Sequence, residues 1–287
     1  MNAQPAPRLG GVAYIAFAAV LFALLAVLAR TLAGKLPAEE VIAVRFVLSL
    51  LFMAGWFLAL RRKPVLVHPG ALFLRGLFGG FAAASYFYTI EQLGVGPATV
   101  LNFLAPCWAA VFASIFLKEK AGPFAWIGLA VATAGGAIVT LAAGEVHRPE
   151  HFGLAATLGV LSGISGGAAM ATLKKLRDDT DAGTIFTAFN LVGLLLVAPF
   201  AWKGWAPLES TLWPVLIAIA LLSCAAQLLY SWAMAFTPVT RGSLATQLTP
   251  LFAAGFGAIF LGELPNATGV VGGLLCIGGV LLGMIRS

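Results

Sequence analysis

The sequence predicts an all-α polytopic membrane protein with ten transmembrane helices, arranged as two inverted five-helix repeats. The first observation is composition, because 61% of the 287 residues are hydrophobic and only 10% are charged, whereas soluble domains carry about 25% charged residues. The second is the length of the apolar runs, about 19 to 25 residues each, which suits helices that cross a hydrocarbon core. The third is an internal repeat. A water-soluble fold could not bury so much apolar surface.

The apolar runs and the basic residues together predict the topology. The ten predicted spans are residues 10–32, 38–60, 71–90, 97–117, 124–143, 152–173, 184–202, 212–236, 242–261 and 267–285. A cytoplasmic N-terminus places twelve basic residues inside: Arg8, Arg61, Arg62, Lys63, Arg75, Lys118, Lys120, Lys174, Lys175, Arg177, Arg241 and Arg286. Four remain outside, namely Arg30, Lys35, Arg148 and Lys203. This bias predicts that both termini are cytoplasmic.

The internal repeat appears when the chain is compared with itself at a shift of 144 residues. Tyr86 then pairs with Tyr230, and a denser set of matches follows. The residues Leu104, Pro106, Trp108, Ala109, Ala110 and Phe112 fall on Leu248, Pro250, Phe252, Ala253, Ala254 and Phe256. We therefore divide the chain into residues 1–145 and 146–287. Five spans per repeat reverse the orientation of the second copy, an arrangement that suits alternating access around a central site.

The repeated pattern L-x-P-x-[WF]-A-A-x-F is followed by IFLKEK in the first half and by IFLGEL in the second, before a glycine-rich last span. It resembles the EamA-type drug/metabolite transporter superfamily over essentially the whole chain. The resemblance implies ten spans with both ends inside, and a carrier of small metabolites such as amino acids, sugars, nucleotide derivatives, vitamins or toxic compounds. Size and aromatic content are most similar to the aromatic-amino-acid exporters. Phe189 stands where the repeat would match Arg45, so any role of Arg45 is asymmetric.

Arg45 is a charged residue inside a predicted span, about seven residues from its start. It is predicted either to face a watery cavity and pair with a substrate carboxylate or phosphate, or to snorkel towards Glu39 and Glu40. The other candidates for substrate binding are rings and amides within spans. The rings could stack on a solute or pack helices, and the amides could bond to solute or to other helices. These candidates are Tyr86, Tyr88, Trp108, Tyr230, Trp232, Asn102, Asn190, Gln227 and Gln247.

Pro106 and Pro250 occupy matching mid-span positions, where each removes a backbone donor and permits a bend, so we predict hinges there. Gly159, Gly163 and Gly167 have the spacing that lets helices approach closely. Glu119 and its match Glu263 are predicted to cap turns at span ends, with gating as the alternative.

Two enzyme motifs carry little weight. The G-x-S-x-G pattern around Ser165 lacks a membrane-embedded histidine to take the serine proton, and the acidic cluster at residues 178–181 lies beside basic residues in a predicted loop. The sequence predicts no enzyme, cofactor or metal. No Asp, Glu or His occurs in mid-span, which favours facilitated diffusion or exchange over tight proton coupling.

The sequence therefore predicts an inner-membrane carrier that exports or exchanges amino acids or similar small amphiphiles. Its partners would be a small solute and the lipid bilayer, with no nucleic acid. A monomer is adequate and a homodimer stays open. Polar and aromatic residues predict a cavity between the halves, lined by the first four spans of each repeat, with the fifth and tenth spans as peripheral scaffolding. An intramembrane enzyme is the alternative from another class.

Overall fold

The computed structural model describes residues 8–32, 34–93, 95–142, 152–205, 208–262 and 266–285. Within these ranges the chain is helical and contains no strand. The first half forms α1 (Arg8–Thr31), α2 (Ala38–Ala59), α3 (Pro69–Leu93), α4 (Val95–Asn102), α5 (Ala105–Phe116) and α6 (Pro123–Ala142). The second half forms α7 (Phe152–Leu176), α8 (Ala182–Gly204), α9 (Trp213–Met234), α10 (Val239–Thr246), α11 (Thr249–Leu261) and α12 (Ala267–Ile285). A 3₁₀ turn, Ser210–Leu212, precedes α9.

The helices confirm a polytopic membrane protein. Eight stretches of the described chain are long and apolar enough to cross a bilayer, and Val239–Phe260, which joins α10 to α11, is one of them. Two shorter apolar stretches, Val100–Phe116 and Pro123–Val139, correspond to the predicted fourth and fifth spans. The number of spans stays a prediction.

The fourth helix of each half is broken rather than continuous. The break separates α4 from α5 at residues 103–104 and α10 from α11 at residues 247–248. Pro106 and Pro250 lie in the first turn of α5 and α11, just after the breaks. A proline is tolerated there because the first backbone N–H groups of a helix have no acceptor within that helix. The prolines therefore mark the start of a new segment, and their hinge role stays a prediction.

Helix starts repeat at the same spacing as the sequence. Ala38 and Ala182, Pro69 and Trp213, Ala105 and Thr249, and Pro123 and Ala267 each begin matching helices 144 residues apart. Matching left-handed residues follow α5 and α11, where Lys118 has φ 55° and Gly262 has φ 70°. The backbone thus keeps one plan in both halves even where the side chains differ.

The pattern of neighbouring helices is also unchanged when the two halves are exchanged. Helix α3 packs against α7 and α8, while its counterpart α9 packs against α1 and α2. Likewise α5 packs against α7, and α11 packs against α1. Helix α2 contacts its own counterpart α8, and α6 contacts its counterpart α12. The helices of each half therefore pack mainly against helices of the other half.

Helices α6 and α12, here called the scaffold pair, pack backbone against backbone. A Cβ atom at Gly135 would collide with the Cys276 nitrogen and lie 2.7 Å from the Gly272 oxygen. One at Gly279 would collide with the Ala132 nitrogen. Glycine is needed at these positions because any side chain would push the helices apart. The glycines of α7 confirm the packing prediction in the same way, since Gly163 and Gly167 lie against the backbone of residues 101–109.

Candidate functional site

Arg45 lies in the interface between the halves, where α2 of the first half meets α8 and α9 of the second. Its side chain is only 8% exposed. Its Nη1 donates a hydrogen bond of 3.0 Å to Ser223 Oγ, and its guanidinium carbon lies 4.6 Å from the centroid of the Phe46 ring. Its Nε has no hydrogen-bond partner among the described residues. The charge is therefore held inside the bundle by neutral groups and rings rather than by a carboxylate.

Arg75 is a second buried arginine, which the sequence analysis used only as evidence for topology and not as a candidate for the site. It was counted among the cytoplasmic cations because it lies near the start of a predicted span. Arg75 lies inside α3, as it does inside the predicted span, but its side chain is only 6% exposed. Its guanidinium carbon lies 4.8 Å from the centroid of the Phe189 ring. The distance of Arg75 from the span end could not show that its side chain faces Phe189 of the other half.

Phe189 joins the two arginines, because the Arg45 guanidinium carbon also lies 6.0 Å from the centroid of this ring. The Phe46 and Phe189 rings meet edge to face at 5.5 Å. Glycines make room here as well, since a Cβ at Gly79 would collide with Arg75 Nη1, and one at Gly193 would lie 2.6 Å from the Phe46 ring. We call this region of α2, α3, α8 and α9 the arginine interface.

Two further candidates lie in the helices of this interface. The Tyr230 side chain is buried and has a hydroxyl without a hydrogen-bond partner in the described part of the chain. Asn190, the residue after Phe189, is fully buried. Its Nδ2 donates to the Phe186 carbonyl at 2.7 Å, while its Oδ1 has no described partner. Buried polar atoms normally have partners, so such atoms are where a solute or water could bind.

The amides at the helix breaks form structural bonds. Asn102 Nδ2 donates to Ser162 Oγ at 2.6 Å, and Ser162 Oγ donates to the Ala82 carbonyl at 2.9 Å. Gln247 is fully buried, and its Nε2 donates to Thr133 Oγ1 of α6. The backbone carbonyl of Gln247 accepts a hydrogen bond of 3.0 Å from Cys276 Sγ. These contacts favour interhelical bonding for both amides, although Gln247 Oε1 has no described partner.

The remaining predicted residues are not gathered around Arg45 by any described contact. The Trp232 side chain is 42% exposed and packs edge to face on Tyr14 at 4.9 Å. Trp108 is partly buried and lies 5.9 Å from Phe112, ring to ring. Tyr86 lies 5.9 Å from Phe87, ring to ring, and Tyr88 and Gln227 are partly buried. Their binding roles stay predictions.

The end of α9 is held by basic residues from the end of α7. Lys174 Nζ donates to the Met234 carbonyl at 2.8 Å, and Arg177 Nε donates to the Ser231 carbonyl at 2.9 Å. Cations are favourable at a helix C-terminus, where carbonyl groups lack partners within the helix. Burial lowers the pKa of the Arg177 guanidinium, and Asp181 and Asp178 partly offset that effect.

Glu119 caps a helix of the other half rather than the turn between adjacent spans that the sequence suggested. The Val239 N–H, at the start of α10, donates to Glu119 Oε2 at 2.8 Å. An acceptor carboxylate at a helix N-terminus satisfies a free backbone donor and complements the helix dipole. Its match, Glu263, lies outside the described residues.

The residues that suggested enzyme chemistry have structural partners. Ser165 Oγ donates to the Phe78 carbonyl at 2.9 Å, joining α7 to α3. Asp181 caps α8 by accepting from the Thr184 N–H at 2.9 Å, and His68 bonds to Asp179 at 3.0 Å in an exposed loop. In the described part of the chain, no group of three or more His, Cys, Asp or Glu residues could hold a metal ion.

The fold and its arginine interface define a multi-pass helical membrane protein with two buried arginines between its halves. The chain belongs to the EamA-like transporter family, which it matches twice, over residues 9–141 and 153–285. It is therefore a membrane transporter rather than an enzyme.

Relatives and a solved structure agree with this assignment. The chain is 26% identical over 277 residues to the pseudopaline exporter of Pseudomonas aeruginosa, covering 93% of both chains. It is 27% identical to a probable terminal-alkyne amino-acid exporter of Streptantibioticus cattleyicolor, over 65% of this chain and 63% of that protein. A solved crystal structure matches with a TM-score of 0.84 at 15% identity, covering 97% of this chain and 99% of the other, which shows the fold alone.

Proposed function

We propose that this protein is an inner-membrane carrier that exports or exchanges amino acids or similar small amphiphilic metabolites by alternating access. The observation that carries the proposal is Arg45, a charged side chain buried between the halves with a neutral hydroxyl as its described hydrogen-bond partner. A charge inside a membrane is energetically costly, so a charged residue found there normally has a polar partner or a functional role. A carboxylate of the solute would supply that partner, because guanidinium and carboxylate form charge-assisted pairs.

We further propose ten spans with both termini cytoplasmic, arranged as two inverted repeats. In this topology each broken fourth helix counts as one span. The equal spacing of helix starts, the matched helix breaks and the exchange of neighbours between halves support it. Two halves with one plan can adopt each other's arrangement at similar energy, which would open the site to each face in turn. Both relatives are named as exporters, which supports the direction, and one is named as an amino-acid exporter, which supports the solute class.

Counterflow into liposomes containing the purified protein tests the proposal. A panel of labelled amino acids, nucleotide derivatives, vitamins and organic cations is offered against an internal pool of the same solute. We expect accumulation of at least one amino acid. Chemical change of the solute without flux, or flux confined to the other classes, would contradict the proposed function.

Substitutions then test the predicted cavity. Ala at Arg45 or Trp108 should lower flux while the protein keeps its elution profile and melting temperature in detergent. Ala at Val131 or Leu275, in the scaffold pair, should leave transport nearly unchanged. Normal transport by both cavity variants would show that the site lies elsewhere.

A further inference from the structure

Arg75 is held towards the interior of α3 rather than towards the nearer helix end. An arginine less than two turns from a helix start could extend back to the membrane surface and keep its charge in water. Here a Cβ atom at Gly79 would collide with Arg75 Nη1, so the guanidinium lies one turn further into the helix. It also lies over Phe189 of the other half. The side chain thus places its charge deeper in the bundle, although a path to the surface is short.

Arg45 and Arg75 both lie near the Phe189 ring, which limits how far apart their charges can be. The guanidinium carbons lie 6.0 Å and 4.8 Å from the same ring centroid, and their separation cannot exceed the sum of these distances. The Nε atom of each is buried without a hydrogen-bond partner among the described residues. Among the described residues, neither arginine has an Asp or Glu as an ion-pair partner. Two like charges in a medium of low dielectric constant repel each other, and burial adds the cost of removing both charges from water.

We propose that the arginine interface binds a solute carrying two negative charges, with one guanidinium for each. This inference rests on the proposed function and specifies its substrate class. Arginine pairs with carboxylate and phosphate oxygens through two parallel N–H donors, which gives both affinity and orientation. The two arginines come from different helices of the first half, and both lie near a ring of the second half. A doubly charged solute would therefore bind where the two halves meet.

The surrounding polar groups favour an acidic amino acid among such solutes. The hydroxyl of Tyr230, on α9 of the same interface, has no partner among the described residues and can donate a hydrogen bond to an anionic oxygen. The unpartnered Asn190 Oδ1, one residue from Phe189, can accept one from an ammonium group. A phosphate ester offers the same two charges on one group, so the source of the charges must be determined by experiment.

The test compares three labelled probes in counterflow: glutamate, glutamine and glycerol phosphate. Glutamate and glutamine differ in one carboxylate, which glutamine replaces with an uncharged amide. We expect wild type to carry glutamate at least about tenfold faster than glutamine, since hydrogen bonds to charged groups have that order of effect. Glycerol phosphate carried faster than glutamate would support the two-charge site and assign it to phosphate.

Arg75→Gln should reduce glutamate flux about tenfold or more, to the glutamine rate, while leaving glutamine flux unchanged. Arg75→Lys keeps the charge and should restore part of the difference, which a loss of packing alone would not produce. Leu275→Ala is the matched control, and elution profile and melting temperature verify folding. Equal wild-type rates for glutamate and glutamine, or equal losses for both in Arg75→Gln, would overturn the inference.

The outcomes separate this inference from the proposed function. Wild type that accumulates none of the three probes but carries an uncharged or cationic amino acid overturns the inference and leaves the carrier function in place. Wild type that carries no solute of the full panel overturns the carrier function itself.

Discussion

The scaffold pair and the arginine interface both join the two halves, but they do so with opposite chemistry. In the scaffold pair, Gly135 and Gly279 bring backbones into contact. In the arginine interface, glycines make room for side chains, because Gly79 lies against Arg75 and Gly193 lies against Phe46. Glycine thus allows close backbone packing in the scaffold pair, whereas in the arginine interface it leaves space for charged and aromatic side chains.

This difference separates stability from function within one bundle. Close backbone packing gains dispersion energy and needs no polar group, so it suits a contact that stays closed. Buried arginines with unpartnered nitrogens cost energy in the empty protein, so they suit a contact whose partner arrives with the solute. Substitutions in the two regions should therefore affect different measurements.

The largest effect on stability is expected for Gly279→Val in the scaffold pair. The new side chain would meet the α6 backbone, which cannot move aside as a side chain can, at a cost of about 3 kcal/mol. Gly278→Val is the matched control, because a Cβ atom there has nothing within 4 Å. Melting temperature in detergent measures both, and equal melting temperatures would show that the helices do not depend on this contact.

The opposite result is expected for Gly79→Ala in the arginine interface. Its Cβ would displace the flexible end of Arg75 and press on the Phe189 ring, so the arginine would lose its position while the helices stay packed. The rate of glutamate counterflow should fall about tenfold, and the melting temperature should stay near that of wild type. Gly55→Ala, in open space on α2, is the control. A lower melting temperature with normal flux would assign this glycine to packing.

A smaller effect is expected at the end of α9. Lys174→Ala removes two bonds to its last carbonyls, those of Met234 and Ala235, at a cost of about 1 kcal/mol. Lys175→Ala, which removes the neighbouring charge, is the control. Thermal denaturation checks the difference, and identical curves for the two variants would show that the Lys174 bonds do not stabilise the fold.

The smallest effect concerns the matched turns after α5 and α11. Lys118 has φ 55° and Gly262 has φ 70°, a backbone region that glycine adopts without strain. Lys118→Gly should stabilise the protein by about 0.5 to 1 kcal/mol, and Gly262→Ala should destabilise it by about 1 kcal/mol. Changes of the same sign in both variants, measured by melting temperature, would contradict the equivalence of the turns.

Sequence reasoning predicted the helical membrane class and the position of Arg45 inside a helix, because both follow from hydropathy and from the cost of buried charge. The broken fourth helices were not predicted as breaks, although Pro106 and Pro250 marked them, since a proline in an apolar run is compatible with either a bend or a new segment. Arg75 was missed because an arginine near a span end is normally interfacial. Only the packing of α3 on α8, with Gly79 and Phe189 beside the guanidinium, shows that it is buried.

Two native cysteines allow the central claim to be tested directly, namely that solute reaches the arginine interface and not the scaffold pair. Cys224 lies in the same buried cluster as Phe46 and Phe189, whereas Cys276 bonds to the Gln247 carbonyl beside α6. Variants that retain only Cys224 or only Cys276 are placed in liposomes and treated with a small anionic methanethiosulfonate, with and without transported solute. We expect Cys224 to react, the solute to slow that reaction, and Cys276 to remain unmodified until the protein is denatured. Solute-protected labelling of Cys276, with Cys224 unreactive, would contradict the account.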